Sequence, residues 1–275
     1  MTQLSTQSVS VAAAEKFKVG ASERKPVNWG PGVSIAVVVA LLILWWVMTT
    51  GTGTVKQLLF PSPESLWLGL TQLNSQLLAD AWATLSRVVV SWILGSALGV
   101  GVGLLMARSR WMMYGLTPII EAVRPVPPVA LIPFVILWFG IGDSGKYFLG
   151  ALACFMVMVV NTTVAVTNVP PVYVQAARSL GASSNTVYRS VVLPAIVPEI
   201  LSGFRIGSAL AFAVIVAAEF MGADAGIGRL IMQASRTLNT SVVLLGTAVI
   251  AVMAVVLDQV ISRLSAYATR WASNR

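Results

Sequence analysis

Gln175-Ala176-Ala177-Arg178-Ser179-Leu180-Gly181, followed after nine residues by Val191-Val192-Leu193-Pro194, is a compact polar stretch set between long apolar runs. A polar loop in a chain that is otherwise mostly apolar needs a reason to be ordered. Ala176, Ala177 and Arg178 are strong helix formers and predict a short helix over about 172–180, and Gly181 is placed to end it as a left-handed cap. Ser183 or Ser184 can then cap a second short helix that runs through Val187 and Tyr188 toward Pro194. The result is a bent handle whose small alanines let it press into a partner's groove.

The flanking runs decide the solvent. The chain is 57% hydrophobic and only 10% charged, against roughly 25% charged in an ordinary soluble domain, so water is not its main surroundings. Apolar runs of about 17–25 residues cross a hydrocarbon core of roughly 30 Å as helices. Six fall near residues 32–48, 87–106, 111–139, 147–169, 196–220 and 242–262. The expectation is an all-α polytopic membrane protein with six transmembrane helices. It divides into a cytoplasmic N-terminal tail (1–29), a first transmembrane helix with an outer-face loop (30–85), a transmembrane core (86–265) that carries the handle at 170–194, and a cytoplasmic C-terminal tail (266–275). A secretory signal competes for the first run. The long region before it, and the lack of an A-x-A pattern around Met48-Thr49-Thr50-Gly51, favour an uncleaved span. Pro61-Ser62-Pro63 then leads into leucines spaced among polar residues, the pattern of a short interfacial helix.

A net charge of +8 would suggest nucleic acid for a soluble protein. Here the placement of Lys and Arg is the better guide. With the N-terminus in the cytoplasm, eleven basic residues lie inside, among them Arg108, Arg110, Arg178, Arg189 and Arg263, and five lie at or near the outer face: Lys56, Arg87, Lys146, Arg229 and Arg236. The asymmetry puts both termini in the cytoplasm and makes the basic excess a matter of orientation, with no nucleic-acid partner. The sequence has no histidine and one cysteine, Cys154. That excludes an internal disulfide, a His-dependent triad and a Cys/His zinc site.

Several features within the spans carry information. Gly95, Gly99 and Gly103 recur every fourth residue, a face on which another helix can approach closely. Pro125, Pro127, Pro128 and Pro133 break the third run and free carbonyls that lipid cannot satisfy, so this helix should face the protein interior. Charge at membrane depth is costly and usually functional, which singles out Glu121, Arg124, Glu199, Arg205, Glu219 and Asp258. Glu121 and Arg124 stand three apart and can pair on a helix; alternatively Arg124, beside the break, helps an anion pass. Residues 219–239 are too polar to span and make either a short gate, a contact surface for a delivering protein, or a plain loop. Gly140-Ile141-Gly142-Asp143-Ser144-Gly145-Lys146-Tyr147 imitates a phosphate-binding loop, but Tyr147 stands where a magnesium-binding hydroxyl belongs.

The handle resembles the EAA loop of ATP-binding-cassette (ABC) importer permeases: Glu-Ala-Ala, three residues, Gly, nine residues, Ile, one residue, Leu-Pro, with Gln175 here for the glutamate and Val191 for the isoleucine. Further segments are similar to taurine, sulfonate and nitrate importer permeases. These are Glu121–Pro128, Leu131-Ile132-Pro133, Trp138–Gly142, Pro198-Glu199-Ile200, Gly203-Phe204-Arg205, Ala217-Ala218-Glu219 and Gly226-Ile227-Gly228, and the match runs over roughly residues 80–265. The resemblance implies a MetI-like type I importer transmembrane subunit in the bacterial inner membrane. It implies ATPase coupling through Gln175, Ala176, Ala177, Arg178, Leu180, Gly181, Ala182, Leu193 and Pro194. A translocation pathway or gate would then involve Glu121, Arg124, Pro125, Pro127, Pro128, Arg205 and Glu219. The implied partners are a cytoplasmic ATPase dimer that holds ATP and Mg, a second and identical permease subunit, and an extracytoplasmic solute-binding protein. No cofactor or catalytic residue is expected in this chain, and the implied cargo is taurine or another sulfonate. A nitrate or aromatic carboxylate cargo, an ion-gradient-driven secondary transporter and a membrane scaffold are the competing readings.

Overall fold

The computed structural model describes residues 30–52 and 60–270. The expected tail at 1–29 and the last residues of the expected tail at 266–275 lie outside the described residues. Helix α1 (Gly30–Trp46) runs into a π-helical turn (Val47–Gly51) and falls in one compact unit; every later element falls in a second. The second unit comprises α2 (Pro63–Gln72), α3 (Asn74–Arg108), α4 (Arg110–Val123), α5 (Ile132–Phe139), α6 (Asp143–Thr167), α7 (Pro171–Ser179), α8 (Ser184–Val187), α9 (Leu193–Met221), α10 (Ile227–Arg236) and α11 (Thr240–Ala268).

Five helical stretches among the described residues are long and apolar enough to cross a membrane, and the bent pair formed by α4 with the segment Pro128–Phe139 makes six when counted as one broken span. The break is sharp, 80°. Its cause is local: prolines at 125, 127 and 128 cannot donate to a helical ladder, so the chain takes a tight turn and one 3₁₀ turn (Pro128–Leu131) before α5 begins.

Helix α3 runs through residue 85, where the sequence had suggested a boundary between outer loop and core. The reason is one continuous stripe. Asp80, Thr84, Arg87, Ser91, Gly95, Gly99 and Gly103 recur at helical spacing and are all buried, polar in the first half and without side chains in the second. Leu94, Leu98 and Leu105 on the other side are exposed, as a lipid-facing surface requires.

The glycine half of the stripe meets α6. A Cβ on Gly95 would strike the carbonyl of Ala151, one on Gly99 would sit 2.6 Å from the Met158 Cβ, and one on Gly103 2.8 Å from the Thr162 Cβ. Contact positions rise together along both helices, so α3 and α6 are parallel, with the broken span returning the chain between them. Helix α9 packs antiparallel against both: Gly203 lies against Met158 and Asn161, Trp92 donates to the Phe204 carbonyl at 2.9 Å, and Ile215 reaches Gly150.

Replacing Gly99 by Val should force α3 and α6 apart and cost on the order of 1–3 kcal/mol of stability through overpacking. Gly101→Ala on the same helix, where an added Cβ meets nothing within 4 Å, should be neutral. Thermal unfolding of the two variants in detergent checks the contrast.

Candidate functional site

The handle forms as a helix, a glycine stop and a return. Pro171 opens α7 at the position where its missing N–H costs nothing. At the other end the Gly181 amide donates to the Arg178 carbonyl at 2.9 Å and the Ala182 amide to the Ala177 carbonyl at 3.1 Å, with Gly181 at φ +81°. This is a Schellman cap, and its left-handed residue is the one position where a side chain would be strained. Ser183 then caps α8, its Oγ accepting from the Thr186 amide at 3.2 Å.

From Ser184 the chain does not turn again. Helix α8, a π-helical turn (Tyr188–Val192) and α9 join into 38 continuous residues ending at Met221, with Leu193-Pro194 at the junction. Val187, Val192 and Ile196 are buried on this segment, the last two packed with Ala165 near the end of α6. The Tyr188 hydroxyl donates to the Leu104 carbonyl at 3.3 Å and the Arg108 guanidinium lies over its ring at 5.1 Å. The other side is open: Gln175, Ala176 and Arg178 are exposed, Ala177 and Ala182 half-buried, and Leu180 is 89% exposed at the tip. An apolar leucine held outward on a rigid turn is a shape for insertion into another surface.

The residues singled out inside the membrane separate into three places. Arg124 ends α4 and borders two cavities, of about 500 Å³ and about 230 Å³, that share it with Val160 and Val164. The larger also takes in Pro128, Asn161 and Ser202; the smaller takes in Thr117, Thr163 and Glu121. Pro125 and Pro127 shape the turn beside them and are exposed. Glu121 and Arg124 do not pair with each other, so the helical ion pair open to the sequence is absent among the described residues. Arg205 lies elsewhere, in a two-pronged bond to Asp258 on α11, both contacts 2.8 Å.

Glu219 sits in a third place, sealed at 1% exposure and away from both cavities. Its carboxylate takes the Arg87 Nη1 at 2.7 Å, the Gly228 amide at 2.9 Å and the Thr84 hydroxyl at 2.9–3.0 Å. Arg87 also donates to Asp143 at 2.9 Å and to the Ala225 carbonyl at 2.7 Å. Asp80 accepts from the Gly226 amide and Thr84 from the Ile227 amide, so the first amides of α10 are met by side chains of α3 and α9. The sequence alone did not reveal this knot, although the spacing of Asp80, Thr84 and Arg87 on one face of a membrane helix was the signal for it.

In the phosphate-loop imitation, Lys146 is buried and its ammonium donates back to the carbonyls of Ile141 and Gly142 at 2.6 and 3.1 Å. The segment joins two helices where a nucleotide loop would join a strand to a helix, and its lysine is already engaged.

The family model for binding-protein-dependent transport system inner membrane components matches residues 99–272. The taurine transport system permease protein TauC of Escherichia coli (strain K12) is 37% identical over 255 residues, 90% of this chain and 92% of that protein. The putative aliphatic sulfonates transport permease protein SsuC of Bacillus subtilis (strain 168) is 30% identical over 253 residues, 91% of each. Among solved structures, the inward-facing MetNI methionine ABC transporter superposes with a TM-score of 0.55 at 21% identity, over 69% of this chain and 98% of that one.

Arg87→Ala should destabilise the unit by about 3–5 kcal/mol, because it strands a buried carboxylate. The double change Arg87→Met with Glu219→Leu should recover much of that loss. Thermal unfolding in detergent of the single and double variants tests it.

Proposed function

The chain belongs to the binding-protein-dependent transport system inner membrane components, multi-pass permease subunits of ABC importers, and from that premise we propose that it carries a small organic sulfonate, taurine foremost, into the cell. Two chains of this kind form the pathway, a cytoplasmic ATPase dimer seats on the two handles, and a binding protein delivers the solute from outside. Nucleotide and magnesium belong to the ATPase; this chain transmits its motion.

One observation carries the coupling reading: a capped, outward-facing handle continues without a flexible joint into a 38-residue helix. ATP-driven approach of the two ATPases would draw the handles together and tilt α9, closing the inner side and opening the outer. Hydrolysis would reverse it. Gln175, Ala176, Ala177, Arg178, Leu180, Gly181 and Ala182 form the docking face, and Leu193-Pro194 passes the movement to the span. Orientation follows from charge. Of the basic residues placed outside, Arg87, Lys146 and Arg229 are turned onto carboxylates or carbonyls of the protein itself. Among the described residues, exposed basic residues then number one at that end, Arg236, against Arg110, Arg178, Arg189 and Arg263 at the handle end, which favours a cytoplasmic handle and cytoplasmic termini.

The cargo reading rests on the taurine and sulfonate permeases among the relatives, and on Arg124 beside a cavity whose size suits a small molecule. ATP-dependent uptake of taurine into vesicles holding the reconstituted complex should be suppressed by alkanesulfonates and weakly by nitrate. Absence of competition by every sulfonate would overturn the cargo and leave the transporter class standing.

Gly181→Val forces a branched side chain into a left-handed backbone, a strain of roughly 1–2 kcal/mol, and should unseat the handle. Expected is a loss of ATPase copurification together with uptake, while a binding protein still recognises solute. Retention of both would overturn the coupling role.

A further inference from the structure

We infer that Glu121 and Arg124 act together as a charge-pair filter that favours a zwitterionic solute, one bearing an ammonium and a sulfonate a short chain apart, over a simple alkanesulfonate. The inference rests on the sulfonate-importer reading and assigns to this subunit a selection of its own.

Both side chains border the same cavity of about 230 Å³, and Arg124 also borders the larger one beside it. They stand three residues apart on α4, a spacing at which opposite charges commonly close on each other. Here they do not, and neither has another ion-pair partner among the described residues. Arg87 with Glu219, and Arg205 with Asp258, are closed pairs on other helices of the same unit. Charges in membrane helices are kept paired unless they serve something that passes.

Local stability gives Glu121 no reason to be there. It lies in the last turn of α4 (Arg110–Val123), where the helix dipole disfavours a carboxylate and favours the neighbouring arginine. The 14 residues of α4 rise about 21 Å, long enough to carry the pair from the basic residues at its start well into a hydrocarbon core of roughly 30 Å. The cavity also holds an uncommitted polar group, since the Thr117 hydroxyl is buried there with no hydrogen-bond partner. Arg124 would take the sulfonate oxygens, Glu121 the ammonium, and Thr117 a remaining donor or acceptor. A solute without the ammonium leaves Glu121 facing a second negative charge.

The test uses the complete complex, with its ATPase and binding protein, in proteoliposomes driven by ATP. Uptake rates for taurine and for ethanesulfonate are measured at saturating solute and expressed as a ratio, so that the unchanged binding protein cancels between variants. Glu121→Gln should lower the taurine-to-ethanesulfonate ratio about 5-fold, the scale of one partly screened charge contact. Glu121→Asp should keep the ratio within about 2-fold of the parent. Glu121→Ala, the second variant should the glutamine form fail to assemble, should lower it as Glu121→Gln does. An unchanged ratio, or rates that fall together, would overturn the filter alone. A parent complex that moves neither sulfonate would overturn the cargo reading and the filter with it.

Discussion

In hydrocarbon no water is at hand to satisfy a stray polar group, and one face of α3 shows how the second unit meets that constraint. Its first half carries Asp80, Thr84, Arg87 and Ser91; its second carries Gly95, Gly99 and Gly103. The polar half gathers amides at the start of α10, the Ala225 carbonyl, Asp143 and Glu219 at one end of the bundle. The glycine half brings α3 against α6 at backbone distance, where dispersion and close fit do the work that the hydrophobic effect does in water. The helices are thereby fixed both by directional bonds and by contact, and α9 packs on the result.

That arrangement supports the lever role proposed for the handle. A lever needs a fulcrum that does not yield. Helix α9 is held at its far end through Glu219, in its middle through Trp92 against Phe204, and near its start through the Val192 and Ile196 cluster. Between handle and knot the ladder departs from regular α-helical bonding at the π-helical turn Tyr188–Val192, just ahead of Pro194, and again at Pro198, which has no amide to donate. In the proposed coupling, movement applied at Leu180 would enter the membrane interior along this helix.

Much of this was legible in the sequence, and the reasons differ from element to element. The cap at Gly181 comes from local chemistry, because few residues other than glycine take a positive φ easily, and Ser183 serves only the short helix directly after it. The break at residues 124–128 was equally legible, since proline removes the donor that a helix needs. The start of α3 at Asn74 was not: residues 74–86 look too polar for a span, and their polarity is answered only by α9 and α10, which lie far away in sequence. The partner of the glycine face was hidden for the same reason. Glu219 read as part of a pathway or gate because an acid at membrane depth suggests function; its bonds to Arg87, Thr84 and Gly228 come from residues far away in sequence or beyond a break in the helix.

Glu219 and Glu121 together separate two uses of charge inside a bilayer. An ion pair that is sealed and fully bonded, as Arg87 with Glu219 is, adds little net stability over a well-packed apolar pair, but it fixes one arrangement, since every alternative strands a charge. Such a pair belongs where nothing should move. Arg205 and Asp258 are also closed, though on an exposed surface between α9 and α11, where a two-pronged contact sets the opposite charges against each other. Arg124 and Glu121 are the contrasting case: they stand open, beside cavities, at the end of a helix that the prolines have cut short. The break supplies the opening, because a continuous helix would have filled that volume with side chains and satisfied carbonyls. The same prolines that spoil α4 as a simple span thus stand where a cation and an anion, unpaired among the described residues, border one cavity.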